Sequence, residues 1–107
     1  MDDAPAGVSQ SFQMFFEQAS GHAAAWMGAV EGLDAASSLD KKTEELAYLA
    51  VLAAMRMESG VPFHVASAKA AGATREEVIS AILVGLPAAG QVVIQSLPAA
   101  LATYDAE

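Results

Sequence analysis

Asp40-Lys41-Lys42-Thr43-Glu44-Glu45 runs straight into Leu46-Ala47-Tyr48-Leu49-Ala50-Val51-Leu52-Ala53-Ala54-Met55, a stretch without a charge. Asp40 is suited to accept hydrogen bonds from the first free backbone N–H groups, so it is predicted to be a helix N-cap. The helix is expected to run to about Met57, with Gly60 ending it. Pro62 fits the first turn of the next helix, where no N–H is needed. A helix that is apolar on nearly all sides is expected to be buried on nearly all sides. This one is therefore predicted to lie at the centre of an all-α fold.

Outward from this helix the chain keeps the same character. Alanine, leucine, glutamate and methionine favour helix, and strand-like alternation is nearly absent. A first helix is predicted over Gln10–Gln18, with Phe12, Phe15 and Phe16 at helical spacing, broken by Ser20-Gly21. A second is predicted from about His22 to Val30, followed by a loop from Gly32 to Leu39. Beyond the central helix, a fourth is predicted over Val61–Ala71, with Gly72 in the left-handed position that closes it. Thr74-Arg75-Glu76-Glu77 reads as a capping box that opens a fifth, whose stripe is Val78, Ile79, Ile82, Leu83 and Leu86. Pro87 to Gly90 breaks it. A last helix, Gln91–Tyr104, is predicted to bend at Pro98. The total is about six helices.

With 107 residues the chain has one domain's length, expected over 9–107 behind a flexible segment, 1–8. Hydrophobic residues make up 54% and charged residues 17%, which excludes a disordered chain. So much apolar surface in so small a domain points to burial against other copies of itself. The net charge of −8 repels phosphate, so neither nucleic acid nor an anionic membrane is an expected partner. Val78 to Tyr104 carries no charge, but its glutamines, prolines and glycines and its lack of basic flanks argue against a membrane span. The acidic start MDDAPAG is unlike a secretory leader, and the expected location is cytoplasmic. There is no cysteine, which excludes disulfides, zinc–thiolate sites and thiol catalysis by this chain.

Few residues are left to carry chemistry. The two histidines, His22 and His64, do not share a helix face at i, i+4, so no zinc site is expected. Phosphate-binding glycine loops and the nucleophile-elbow motif are absent, and no cofactor is expected. Taken alone, each histidine reads as a solvated or capped side chain. Glu44 and Glu45 suit the positive end of a helix dipole. Glu45, however, shares a face with Leu49, Leu52 and Arg56. A carboxylate on that face is expected to be partly desolvated, which raises its proton affinity. Glu45 is therefore the better acid–base candidate of the two.

The ordered set Leu39 to Leu46, then His64 placed 19 residues after Glu45, then Ala68, Ala71-Gly72-Ala73-Thr74, Glu77-Val78-Ile79 and an apolar tail with Gly90, resembles the carboxymuconolactone decarboxylase family. That family includes the alkylhydroperoxidase D-like proteins. The resemblance covers roughly Phe12 to Tyr104. It implies an all-helical fold assembled as a trimer or hexamer, with Glu45 and His64 as the candidate catalytic pair. The peroxidase branch carries a Cys-x-x-Cys pair ahead of its histidine, and these cysteines fall on Met57 and Gly60. Neither residue can form a thiolate or a sulfenic acid, so the redox half of that chemistry is missing.

The decarboxylase branch does not need the cysteines, and acts on a small carboxylated lactone. Loss of carbon dioxide leaves a carbanion that must be protonated, a step the resemblance gives to His64 with Glu45 setting its tautomer. Three readings follow. The first is a cofactor-free acid–base enzyme on a small organic acid or lactone. The second is a non-catalytic small-molecule-binding or structural oligomer. The third is a peroxidase in family name only. Along one straight helix Glu45 and Met57 would stand about 18 Å apart at ~1.5 Å per residue. His64 therefore reaches Glu45 only if the chain folds back or a neighbouring subunit supplies one of them.

Overall fold

A computed structural model describes residues 8–106; the expected flexible segment lies almost wholly in 1–7, outside the described residues. Every regular element among the described residues is helical. The helices are α1 (Gln10–Gln18), α2 (Ser20–Ala36), α3 (Lys41–Ala54), α4 (Val61–Ala70), α5 (Arg75–Leu83), α6 (Leu86–Ala89) and α7 (Leu97–Asp105). Two 3₁₀ segments, Glu58–Gly60 and Gly90–Ser96, join them. The chain divides into two compact units, Met1–Leu39 and Asp40–Glu107, a boundary inside the span 9–107.

In the first unit, Ser9 caps α1 by accepting from the Phe12 N–H at 3.2 Å. Phe12 stacks on Phe15 and meets Phe16 at a tilt along α1, the i, i+3 and i, i+4 neighbours that its helical spacing provides. Ala19 alone separates α1 from α2, so the expected break at Ser20-Gly21 is instead the start of a helix. That helix continues to Ala36, through most of the expected loop. Ala24, Ala25, Ala29, Ala35 and Ala36 carry it past Gly28 and Gly32, and no proline stops it. Ser37 ends it, its N–H donating to the Asp34 carbonyl.

The second unit is built around α3, which packs on α4, α5 and the second 3₁₀ segment, while α4 also packs on α7. Asp40 caps α3 as expected, accepting from the Thr43 N–H at 2.8 Å. Leu49, Leu52 and Ala53 of α3 meet Val61, Val65 and Ala68 of α4, Val78 and Ile82 of α5, Val93 and Ala100, and Glu45 extends the buried row of α3 by one turn. Two features of α3 differ from expectation. It stops at Ala54, because Arg56 takes a left-handed conformation (φ 61°). The Met57 N–H then donates to the Leu52 carbonyl and the Arg56 N–H to the Ala53 carbonyl, which together make a Schellman end. Nor is α3 buried all round: Tyr48 and Val51 stay exposed on its other face in the single chain, as does Met55 just past its end.

Gly72 repeats the same helix ending with φ 99°, its N–H donating to Lys69 and that of Ala73 to Ala68, in the place the sequence assigns it. The Thr74–Glu77 capping box opens α5 as expected, with both reciprocal bonds formed. Beyond α5 the expected final helix is shorter. Gly90–Ser96 is 3₁₀, and α7 begins at Leu97 with Pro98 in its first turn, where the missing N–H costs nothing. By length and composition Arg75–Asp105 is apolar enough to cross a membrane. It is divided among α5, α6, the 3₁₀ segment and α7, none of which approaches the ~20 residues a span needs. Lys69 holds the end of α7 by donating to the Tyr104 carbonyl at 2.6 Å, and the Tyr104 hydroxyl donates to the Ala73 carbonyl at 2.7 Å.

Candidate acid–base site

Glu45 is the first member of the buried row of α3, ahead of Leu49 and Leu52 at one-turn steps. His64 lies one turn into α4, on the flank of the stripe Val61, Val65 and Ala68. The chain folds back after α3, and Gly60 comes to rest against Leu52; a Cβ on Gly60 would stand 3.3 Å from the Leu52 Cδ2. His64 is thereby carried alongside α3 to Glu45, within one chain. The His64 Nδ1 and the Glu45 Oε1 are 2.8 Å apart. The Lys41 ammonium lies 3.0 Å from the other oxygen, Oε2, one turn earlier on the same helix.

The Glu45 side chain is 8% exposed, so each carboxylate oxygen needs its partner. Burial is the largest single influence on this carboxyl and pushes its pKa up. The hydrogen bonds and charges of His64 and Lys41 together outweigh burial and hold the pKa below the usual glutamate value. The expected desolvation is present, but the net direction is the opposite of the one desolvation alone gives, because the sequence pattern does not show Lys41 and His64 together against this carboxylate. An ionised carboxylate has no hydrogen to give, so His64 donates through Nδ1–H. Its Nε2 is then the nitrogen that takes up or releases a proton.

Two rings fix the imidazole. Tyr48 meets it edge-on at 4.2 Å between centroids and 87° between planes, and Phe63 at 5.1 Å and 88°. The His64 side chain is 21% exposed, so part of it reaches solvent. Lys41, 59% exposed, borders an open depression of about 460 Å³ lined also by Asp40, Lys42 and Ala71. Lys42 points elsewhere, to Glu77 of α5 at 3.2 Å.

Of the positions singled out in the sequence, the structure brings Glu45 and His64 together. Arg56 lies past the end of α3, exposed, and leaves the face it was expected to share. Met57 is half exposed, and Gly60 is packed on Leu52. Tyr48 and Lys41 went unnoticed as members of the site. The signal was present in their spacing, since i−4 and i+3 from Glu45 are the two neighbours a helix places beside a side chain. Among the described residues no group of three or more His, Asp or Glu side chains is placed to hold a metal ion.

The family model described as carboxymuconolactone decarboxylase family matches residues 21–102, a span that contains Lys41, Glu45, Tyr48, Met57, Gly60 and His64. No curated protein and no solved structure matches the chain.

Proposed function

Because this chain belongs to the carboxymuconolactone decarboxylase family, we propose that it is a cofactor-free acid–base enzyme of the decarboxylase or lyase type, acting on a small organic acid or lactone. The observation that carries this reading is the 2.8 Å contact between the His64 Nδ1 and a Glu45 carboxylate that is buried and ionised. In such a reaction the bond from carbon to the leaving carboxylate breaks and carbon dioxide departs. The electron pair stays on carbon, where it takes a proton from the His64 Nε2. The imidazolium formed beforehand is stabilised by Glu45, and water returns the proton afterwards.

Thiol peroxidase activity is not part of the reading. The chain has no cysteine, and Met57 and Gly60 offer no ionisable sulfur. Assembly as a trimer or hexamer belongs to the same proposal. It is supported by large apolar side chains left exposed in the single chain, among them Trp26, Val30 and Leu33 of α2, Tyr48 and Val51 of α3, and Met55 just past its end.

A non-catalytic binding or structural member has one observation in its favour, the placing of His64 between the Tyr48 and Phe63 rings with little of it exposed. One experiment separates the two readings. The purified chain and its His64→Ala variant are supplied with carboxymuconolactone and a panel of small carboxylated lactones and acids, and carbon dioxide release is followed. Turnover by the parent, with a loss of at least about a hundredfold in the variant, supports the enzyme. No turnover of any substrate, with a destabilised variant, supports the structural reading.

A further inference from the structure

We propose that Lys41 is a positioning residue of this site: its ammonium keeps the buried Glu45 carboxylate charged whenever His64 is neutral, so that His64 holds its proton on Nδ1 and works through Nε2. The inference rests on the acid–base reading above for its use in turnover, but not for its geometry. Glu45 has two oxygens and two partners, an imidazole on one and an ammonium on the other. The His64 Nδ1 is 2.8 Å from Oε1, and the Lys41 Nζ is 3.0 Å from Oε2. When His64 has given up its proton, the imidazole no longer neutralises a carboxylate that is only 8% exposed. Burial then favours the protonated acid, and a protonated Glu45 could donate to Nδ1 and turn the imidazole into the wrong tautomer. A lysine one turn away keeps its charge through that step and removes the incentive.

Among the described residues, Lys41 from α3 itself and His64 from α4 bring charge to this carboxylate, while the neighbouring cation Lys42 is engaged by Glu77 of α5. Lys41 is therefore the permanent charge of the pair, and it acts through Glu45 rather than on substrate. Its side chain is 59% exposed, so replacing it does not open the core.

The test is NMR on the full chain and on Lys41→Met, Lys41→Gln and Lys41→Arg, following the Glu45 carboxyl carbon and the His64 ring nitrogens through a pH series. In the parent, neutral His64 is expected as the Nδ1–H tautomer. In the Met and Gln variants the Glu45 titration moves to higher pH, and the Arg variant returns it towards the parent position. A Glu45 titration unmoved by both neutral substitutions overturns the inference. Turnover keeps the two proposals distinguishable. If the parent turns over no substrate but Glu45 shifts as described, the enzyme reading fails and the Lys41 inference stands. If turnover depends on His64 but Glu45 does not shift, only the Lys41 inference fails.

Discussion

The Glu45 carboxylate and the His64 imidazole, 19 residues apart in sequence, meet at 2.8 Å because the chain doubles back along α3 and lays the first turn of α4 beside it. Neither a second subunit nor a bound group is needed to form the pair. Glu45→Gln keeps the shape of the side chain but offers His64 either a carbonyl oxygen or an amide N–H, so the tautomer is no longer dictated. We expect this variant to lose about a hundredfold or more of any turnover that His64 supports, with helical content unchanged. Steady-state rates beside circular dichroism check it; an unaltered rate would remove Glu45 from the mechanism.

The same carboxylate makes stability depend on acid. Its folded-state pKa lies below the unfolded value near 4.5, burial notwithstanding, because His64 and Lys41 prefer it charged. A group depressed in this way contributes its stability above the unfolded value and loses it as pH falls through the folded one. Urea midpoints are therefore expected to hold steady above about pH 5 as far as Glu45 is concerned, and to fall below it. In Glu45→Gln the acid-side fall should be shallower. Asp40, Glu77 and Asp105 are depressed too, by the Thr43 backbone, the Thr74 backbone and Arg75 respectively, and they supply what slope remains.

How far the sequence leads is clear at particular residues. The Asp40 cap, the Gly72 turn and the Thr74–Glu77 box were legible because each depends on a few adjacent residues whose chemistry allows one arrangement. The extent of α2 was not, since alanine-rich sequence around Gly28 and Gly32 is compatible with helix or loop and no breaker decides between them. The early end of α3 was hidden for a different reason: an arginine, not a glycine, takes the left-handed position. At the site, Glu45 was found from its helical face and His64 from a family resemblance. The contact between them was out of reach, because it is set by how the chain returns from Met55 to Gly60. Local patterns do not specify that return.

Arg56 and Gly72 occupy equivalent positions in two Schellman endings, and only one of them is a glycine. A side chain at φ 61° brings its Cβ against the backbone, a cost of roughly 1–2 kcal/mol that glycine avoids. Glycine gives back part of this through its freer unfolded chain. Arg56→Gly is therefore expected to raise stability by about 0.5–1 kcal/mol, and Gly72→Ala to lower it by about 1 kcal/mol. Chemical denaturation of both variants checks the pair. Opposite signs are required; destabilisation by Arg56→Gly would mean that the arginine makes interactions that outweigh its backbone strain.

Ser96, at the junction of the second 3₁₀ segment with α7, is fully buried, and among the described residues its hydroxyl has no hydrogen-bond partner. A hydroxyl taken from water without a replacement bond costs about 1–3 kcal/mol, whereas the methyl group of alanine has nothing to satisfy. Removing one oxygen leaves a void smaller than a methyl group, so the loss of packing is small beside the desolvation relieved. Ser96→Ala is expected to stabilise the chain by about 1 kcal/mol, read as a higher urea midpoint at unchanged slope. Ser96→Val tests the other half of the argument. It also removes the hydroxyl but adds two methyl groups to a site with no exposed surface, and overpacking should cost about 1–3 kcal/mol. If both variants destabilise, the hydroxyl is bonded in solution to something the isolated chain does not offer it.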